Sequence, residues 1–324
     1  MDLNGTVRNL KEIRDLAFEE NVDLSRLTWW KIGGRAPILV EPHSIDQLTE
    51  ILSKAVQGAV PVVVIGRGTN LFFADGDLAC VICRIGDRFS ALQVKGKEIL
   101  AQAGVSMLRL GRCAQTRGLS GLEHAIWIPG TLGGLITMNG GSQRKSISDS
   151  LIEITFMTLD GKIYKVKPEE CVFSYRNSRF LNSREIILEA RLTLDQSSPS
   201  EVRREMLMII SERKRKFPGK LPSCGSVFRS DQSLYQSYGP PGRLIEDAGL
   251  KGYSIGGLQV STQHANFFVN KGGATASDAL QLIKYVQHVL FDKYGIDLET
   301  EVLFVDCEGR SMSAAHVQEA SYRE

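Results

Sequence analysis

No stretch of the sequence runs for the roughly 18 apolar residues that a membrane-crossing helix needs, so a membrane role is not expected. The first residues carry Asp2, Glu12, Asp15, Glu19 and Glu20 where a secretory signal would be apolar, and a cytoplasmic protein is the expectation. Charge of one sign is also missing. Thirty-nine Lys and Arg against 37 Asp and Glu leave a formal charge of +2, with no bulk drive toward nucleic acid or an anionic bilayer. Of the six cysteines only Cys80 and Cys83 are close in sequence. Cys113, Cys171, Cys224 and Cys307 stand alone, so no second ligand pair completes a zinc site and no metal is expected. No internal repeat points to a solenoid. What is present is ordinary globular composition, 43% hydrophobic and 23% charged, over 324 residues, enough for two or three folding units.

Apolar periodicity orders the chain. Residues 1–22 read as a helical lead-in of mixed charge. Ile38-Leu39-Val40 and Val60 to Ile65 read as strands around an amphipathic helix from Ile45 to Val56. Short β-type runs dominate from about 80 to 195, with Asp160-Gly161 marking a hairpin. The polar stretch from Asp195 to Ser200 reads as an interdomain connector. Helices follow at Glu201 to Lys216 and Ala276 to Lys293, then a last strand at Val302 to Val305. The polar tail after Gly309 reads as poorly ordered.

Two glycine-rich segments stand out. Gly66-Arg67-Gly68-Thr69-Asn70-Leu71 follows a strand, as a Rossmann turn would, but Leu71 holds the third glycine position and Phe72-Phe73 continue as a strand or turn. No Gly-Lys-Ser or Gly-Lys-Thr makes it a P-loop. A tight turn remains, equally a plain hairpin or a nest of backbone N–H groups for an anion. Between Gly121 and Gly141 lie six glycines, including Ile128-Pro129-Gly130-Thr131-Leu132-Gly133-Gly134. That density is costly in conformational entropy, and close approach of backbone to a flat or phosphorylated ligand would explain it.

Taken in order, several motifs carry a resemblance: Thr28-Trp29-Trp30-Lys31-Ile32-Gly33-Gly34, the Gly66 to Leu71 loop, Gly121 to Gly134, Phe173-Ser174-Tyr175-Arg176-Asn177-Ser178, Pro222-Ser223-Cys224-Gly225-Ser226-Val227-Phe228, Leu244 to Gly252, His264-Ala265-Asn266-Phe267 and Leu298-Glu299-Thr300-Glu301-Val302. Together they resemble the shorter, second type of the UDP-N-acetylenolpyruvoylglucosamine reductases, over about Leu27 to Val305. The resemblance implies an α+β protein: a two-subdomain FAD-binding fold of the vanillyl-alcohol oxidase-like type plus a smaller α+β substrate-binding domain. The expected spans are 1–84, completed by the final strand near 301–307, then 85–196, 197–300 and a tail at 308–324. Two stretches depart from the family pattern. Arg229-Ser230-Asp231 replaces a lysine with a proline two residues later, and Asn139-Gly140-Gly141-Ser142 replaces a more usual Asn-Ala-Gly-Ala.

The resemblance further implies noncovalent FAD held by Gly66, Arg67, Gly68, Thr69, Asn70, Leu71, Ile128, Pro129, Gly130, Thr131, Gly133, Gly134 and Asn139, NADPH as hydride donor, and UDP-N-acetylglucosamine enolpyruvate as substrate. It assigns Arg176 to charge stabilisation, Ser226 to proton donation and Glu301 to their support, with Cys224 as rival donor. A guanidinium forks onto a carboxylate, and a nearby carboxyl helps a weakly acidic hydroxyl donate. Lys214 and Lys216 by charge, and Lys251 and Asn266 by motif, are expected at the substrate; His264 is expected to order its loop. A monomer or weak oligomer is anticipated. An alcohol or sugar oxidase of the same flavoprotein fold is the competing enzyme, but such relatives often tether FAD through His or Cys, and the Gly66 to Leu71 loop has neither. A nucleotide-sugar-binding regulator is the non-enzymatic alternative.

Overall fold

The structure, a computed structural model, describes residues 1–230, 235 and 237–317. Its contacts divide the chain into two compact units. The first comprises residues 1–19, 39–67 and 81–213, and the second residues 20–38, 68–80 and 214 onward.

In the first unit, Ser44 caps the helix Ile45–Gln57 by accepting the Gln47 N–H, and Leu48, Ile51, Leu52 and Ala55 form its buried stripe. Strands Val62–Ile65 and Val81–Arg84 pair in parallel. A five-stranded antiparallel sheet follows, in the order Ile163–Val166, Leu151–Met157, Ile186–Thr193, Glu98–Gln102, Leu92–Lys95. The hairpin expected at Asp160-Gly161 forms there, with Gly161 at φ +82°. Helix Pro199–Lys216 buries Val202, Met206 and Ile209 against Ile126.

That packing moves the expected boundary. The turn-prone residues before Pro199 change the direction of the chain, but the helix they open is anchored in the first unit, and the division falls at 213/214. A second revision concerns the lead-in. Helix Leu3–Lys11 gives way to a strand, Ala17–Asp23, so residues 1–22 are not helical throughout.

In the second unit, strand Leu71–Phe73 pairs in parallel with Leu303–Val305, which pairs antiparallel with Ser311–Ser313. The tail beyond Gly309 is therefore ordered through Val317: Ala314 and Val317 are buried, and Ser311–Ser313 completes a sheet edge. Residues 318–324 lie outside the described residues. Trp30 sits at the centre of this core, edge-on to Phe72 at 5.3 Å, with its indole N–H donating to the Phe268 carbonyl at 2.9 Å. Strands Ser254–Ile255, Leu258–Val260 and Phe268–Asn270 form a small antiparallel sheet beside the helix Ala276–Tyr294. Among the described residues, no helix is long and apolar enough to cross a membrane.

The N-terminus of Ala276–Tyr294 is fully engaged. Thr275 and Asp278 form a reciprocal capping box, and Asp75 accepts the N–H groups of Ala276 and Ser277 at 2.6 and 3.0 Å. Thr275→Ala is expected to lower unfolding stability by about 1 kcal/mol, read as an earlier urea midpoint with an unchanged slope.

Candidate active site

In the first unit, strand Val62–Ile65 delivers Gly66 against the second glycine loop. A Cβ on Gly66 would lie 2.5 Å from Thr131 Oγ1, so the two loops singled out in the sequence meet there. Thr131 is buried and caps the short helix Leu132–Thr137, while the N–H groups of Leu132 and Gly133 donate to the Val105 and Ala103 carbonyls. Ile128 donates to Ala125, and Pro129 and Gly134 are exposed.

This geometry revises the reason for the glycines. Cβ atoms on Gly133, Gly140 and Gly141 would collide with Ala103, Leu135 and the Lys145 carbonyl. These three glycines answer to packing of the chain on itself. The sign of a ligand lies elsewhere: among the described residues, none of the five successive N–H groups from Gly66 to Asn70 donates a hydrogen bond to the protein. Gly68 is buried nonetheless. Buried N–H groups are almost always paired, and a run of open ones fits the phosphates of a dinucleotide cofactor. Arg67 has a different partner, an exposed ion pair with Asp87 at 2.9 Å.

Asn139 is buried at φ +43°, accepting from the Ser148 N–H and donating to the Ser174 carbonyl at 2.9 Å. It thereby ties the glycine loop to the turn that carries Arg176. That turn closes through paired hydrogen bonds between Ser174 and Asn177, with Arg176 at φ +53°. The Arg176 guanidinium donates to the Gly141 carbonyl at 3.0 Å and lies 5.3 Å from the Tyr175 ring centre. Arg213 is close enough to feel it: burial first, and then the Arg176 charge, lowers the Arg213 pKa. Two cations held near one another in a partly desolvated place suit an anionic ligand. Arg213 was not singled out in the sequence, although Val202, Met206, Ile209 and Arg213 recur at helical spacing and put it on the inward face. Lys214 and Lys216 are exposed.

In the second unit, Gly68 stands at φ +61°, where a Cβ would lie 2.1 Å from the Leu27 carbonyl oxygen. Thr69 is half-buried, and Leu71 opens its strand. The Asn70 amide donates to the Glu301 carbonyl at 2.9 Å, and the Glu301 N–H donates to the Val227 carbonyl at 2.8 Å. Ser226 and Glu301 are thus brought onto adjoining segments, joined by the Phe228–Thr300 bridge. The last strand, expected at Val302 to Val305, begins at Leu303, so Glu301 lies just before it.

Ser226 is half-buried, and its hydroxyl makes no hydrogen bond to any described residue. Cys224 is 5% exposed within the hydrophobic core. Burial, with the Glu301 carboxylate adding to it, pushes the Cys224 thiol well above its ordinary range and removes the intrinsic advantage that made it a rival donor.

The expected substrate contacts separate. Asn266 is buried, with its amide accepting from the Phe228 N–H and donating to the Phe228 carbonyl, both at 2.9 Å; this makes it a backbone clamp. Lys251 pairs with Glu246 at 2.6 Å. Asp231 lies outside the described residues. His264 packs against the stacked pair Phe217 and Phe267, 5.1 Å from each ring centre. Burial and the Lys216 charge hold it at about 4, below its ordinary 6.5. Its neutral form therefore stabilises the fold fully above pH 6.5, and that contribution is lost as pH falls toward 4. His264→Gln is expected to flatten this part of the stability profile, measured by urea titrations across the window.

A family model for the C-terminal domain of UDP-N-acetylenolpyruvoylglucosamine reductase matches residues 217–305, and one for an FAD binding domain matches residues 36–167. UDP-N-acetylenolpyruvoylglucosamine reductase 1 of Corynebacterium glutamicum is 38% identical over 95% of this chain and 92% of its own. The reductase of Bacillus licheniformis is 38% identical over 93% of this chain and 98% of its own. The crystal structure of UDP-N-acetylenolpyruvylglucosamine reductase from Thermus caldophilus matches with a TM-score of 0.76 and 30% identity, covering 89% of this chain and 99% of that one. Identity at this level along nearly the whole chain, on an α+β fold whose Gly66 to Asn70 N–H groups stand open, means that the chain belongs to the UDP-N-acetylenolpyruvoylglucosamine reductases, FAD-dependent oxidoreductases of peptidoglycan synthesis.

Proposed function

We propose that the chain reduces the enolpyruvyl group of UDP-N-acetylglucosamine enolpyruvate to the lactyl ether of UDP-N-acetylmuramate, with NADPH as electron donor. One hydride and one proton add across the double bond, and NADPH leaves as NADP⁺. The reading includes a cytoplasmic enzyme, monomeric or weakly associating. The observation that carries it is the adjoining placement of a half-buried serine with an uncommitted hydroxyl, Ser226, and a carboxylate, Glu301.

FAD, when bound through the open N–H groups of Gly66 to Asn70 and the loop Ile128 to Gly134, supplies two-electron transfer between NADPH and the substrate. Hydride arriving at the terminal carbon places negative charge on the neighbouring carbon and its carboxylate. Arg176 meets that charge with a permanently protonated, planar fork. Ser226 delivers the proton to the carbon. Glu301 supports it, because a hydroxyl with a pKa far above neutral donates more readily when a carboxyl nearby replaces its proton. Cys224, buried and with its thiol pushed upward, is the poorer donor. Lys214 and Lys216 offer exposed charge to the diphosphate, while Asn266 acts on the substrate only through the Phe228 backbone it holds.

Ser226→Ala is expected to leave NADPH-driven flavin reduction near wild type and to slow flavin reoxidation by the enolpyruvyl substrate by a factor on the order of 100 or more. Stopped-flow absorbance near 450 nm separates the two phases, and equal loss of both would remove Ser226 from its role. Acid precipitation of the purified protein is expected to leave the yellow colour in the supernatant. Colour retained in the pellet would favour the tethered oxidase reading.

A further inference from the structure

The family motifs end near Val305, yet the chain continues, and the continuation folds back onto the segment that carries Glu301. We propose that residues 311–317 are a positioning element for the Glu301 carboxylate, locking the backbone from Glu299 to Leu303 so that this side chain keeps one orientation during proton delivery. The inference rests on the role of Glu301 given above.

A tight turn starts the return. Asp306 is 2% exposed and accepts from the N–H groups of Glu308 and Arg310 at 3.1 and 2.8 Å and from Arg310 Nε at 2.6 Å. The chain then pairs antiparallel with the last family strand, Val305 with Ser311, Phe304 with Met312 and Leu303 with Ser313. Pairing alone would only protect a sheet edge. The contacts continue past it, however, to both neighbours of Glu301.

Thr300 carries most of them. Its Oγ1 lies 3.3 Å from the Val302 carbonyl, 2.8 Å from Ser313 Oγ and 3.1 Å from the Ala315 N–H. A hydroxyl has one hydrogen and two lone pairs. The carbonyl is only an acceptor, so Thr300 donates to Val302 and accepts from Ser313 and Ala315, and its capacity is filled. The same Val302 carbonyl also accepts from the Ala314 N–H at 3.3 Å. Glu299 meets His316 Nε2 at 3.1 Å. Ala314 and Val317 are buried with Leu298, Val302 and Phe304, which anchors the extension by apolar contact as well.

The Glu301 peptide is itself fixed by Val227 and Asn70. The extension therefore governs the residues on either side of it. A carboxylate whose flanking φ and ψ angles relax swings its oxygens by an ångström or more, and misplacement on that scale costs up to about 100-fold in rate.

Four proteins with FAD bound test this: Ser313→Ala, Ser313→Thr, a chain ending at Arg310, and Glu301→Gln. Ser313→Ala is expected to slow flavin reoxidation by substrate roughly 10-fold while NADPH-driven flavin reduction changes less than about twofold. Ser313→Thr, which restores the hydroxyl, is expected to recover the rate, and the shortened chain to fall at least as far as Ser313→Ala. Hydrogen exchange at the amides of Thr300 to Leu303 is expected to quicken in Ser313→Ala, independently of turnover. Wild-type reoxidation in Ser313→Ala and in the shortened chain, beside a slow Glu301→Gln, overturns the positioning role alone. Equal slowing of both phases in Ser313→Ala also overturns it, as a general structural defect. Wild-type reoxidation by Glu301→Gln overturns the underlying role of Glu301, and this proposal with it.

Discussion

Asn266 holds both the N–H and the carbonyl of Phe228, and the backbone that brings Ser226 and Glu301 onto adjoining segments depends on that clamp. Its own carbonyl also accepts from the Val227 N–H, so Val227 and Phe228 are both tied to Asn266, beside the bridge between Ser226 and Phe267. Phe228 is 1% exposed, and leaving its two peptide groups unpaired there would cost about 1–3 kcal/mol each. With this segment fixed, Thr300 bridges to Phe228 and Glu301 bonds to Val227, so a hydroxyl and a carboxylate far apart in the sequence come to adjoining backbone. The side chain expected at the substrate by motif holds the backbone beside Ser226.

The two units place different groups. In the first, Arg176 and Arg213 lie near enough that burial and then the Arg176 charge lower the Arg213 pKa. Arg213 reaches its position because the helix Pro199–Lys216 packs its apolar face within that unit. In the second, Ser226 and Glu301 lie on adjoining segments. Among the described residues, none of the N–H groups of the turn from Gly66 to Asn70 donates a hydrogen bond to the protein, although close packing fills the space around several glycines elsewhere.

Much of this was legible along the chain. Helix Ile45–Gln57, the hairpin around Gly161 and helix Ala276–Tyr294 follow from apolar spacing, a Gly-containing turn and the αL glycine at 295, all of them local signals. The rest required partners distant in sequence. Residues 311–317 are polar enough to read as a loose tail, and only pairing with Leu303–Val305 and burial of Ala314 and Val317 order them. Lys251 and Arg67 read as ligand-facing cations, and only the fold shows that Glu246 and Asp87 pair with them. Cys224 reads as the stronger acid until its burial is known.

The sequence by itself determined the family, the glycine turns and the residue types that the reaction needs, because motif order and local backbone preference are properties of neighbours along the chain. Tertiary structure decided which of those residues remain available. Packing of the chain fills the space beside Gly133, Gly140 and Gly141 and a backbone clamp engages Asn266, while the Ser226 hydroxyl and the Gly66 to Asn70 N–H groups bond to no described residue. The physical reason is that a hydrogen-bonding group or a space near a Cα can be filled only once, and what fills it comes from residues remote in sequence.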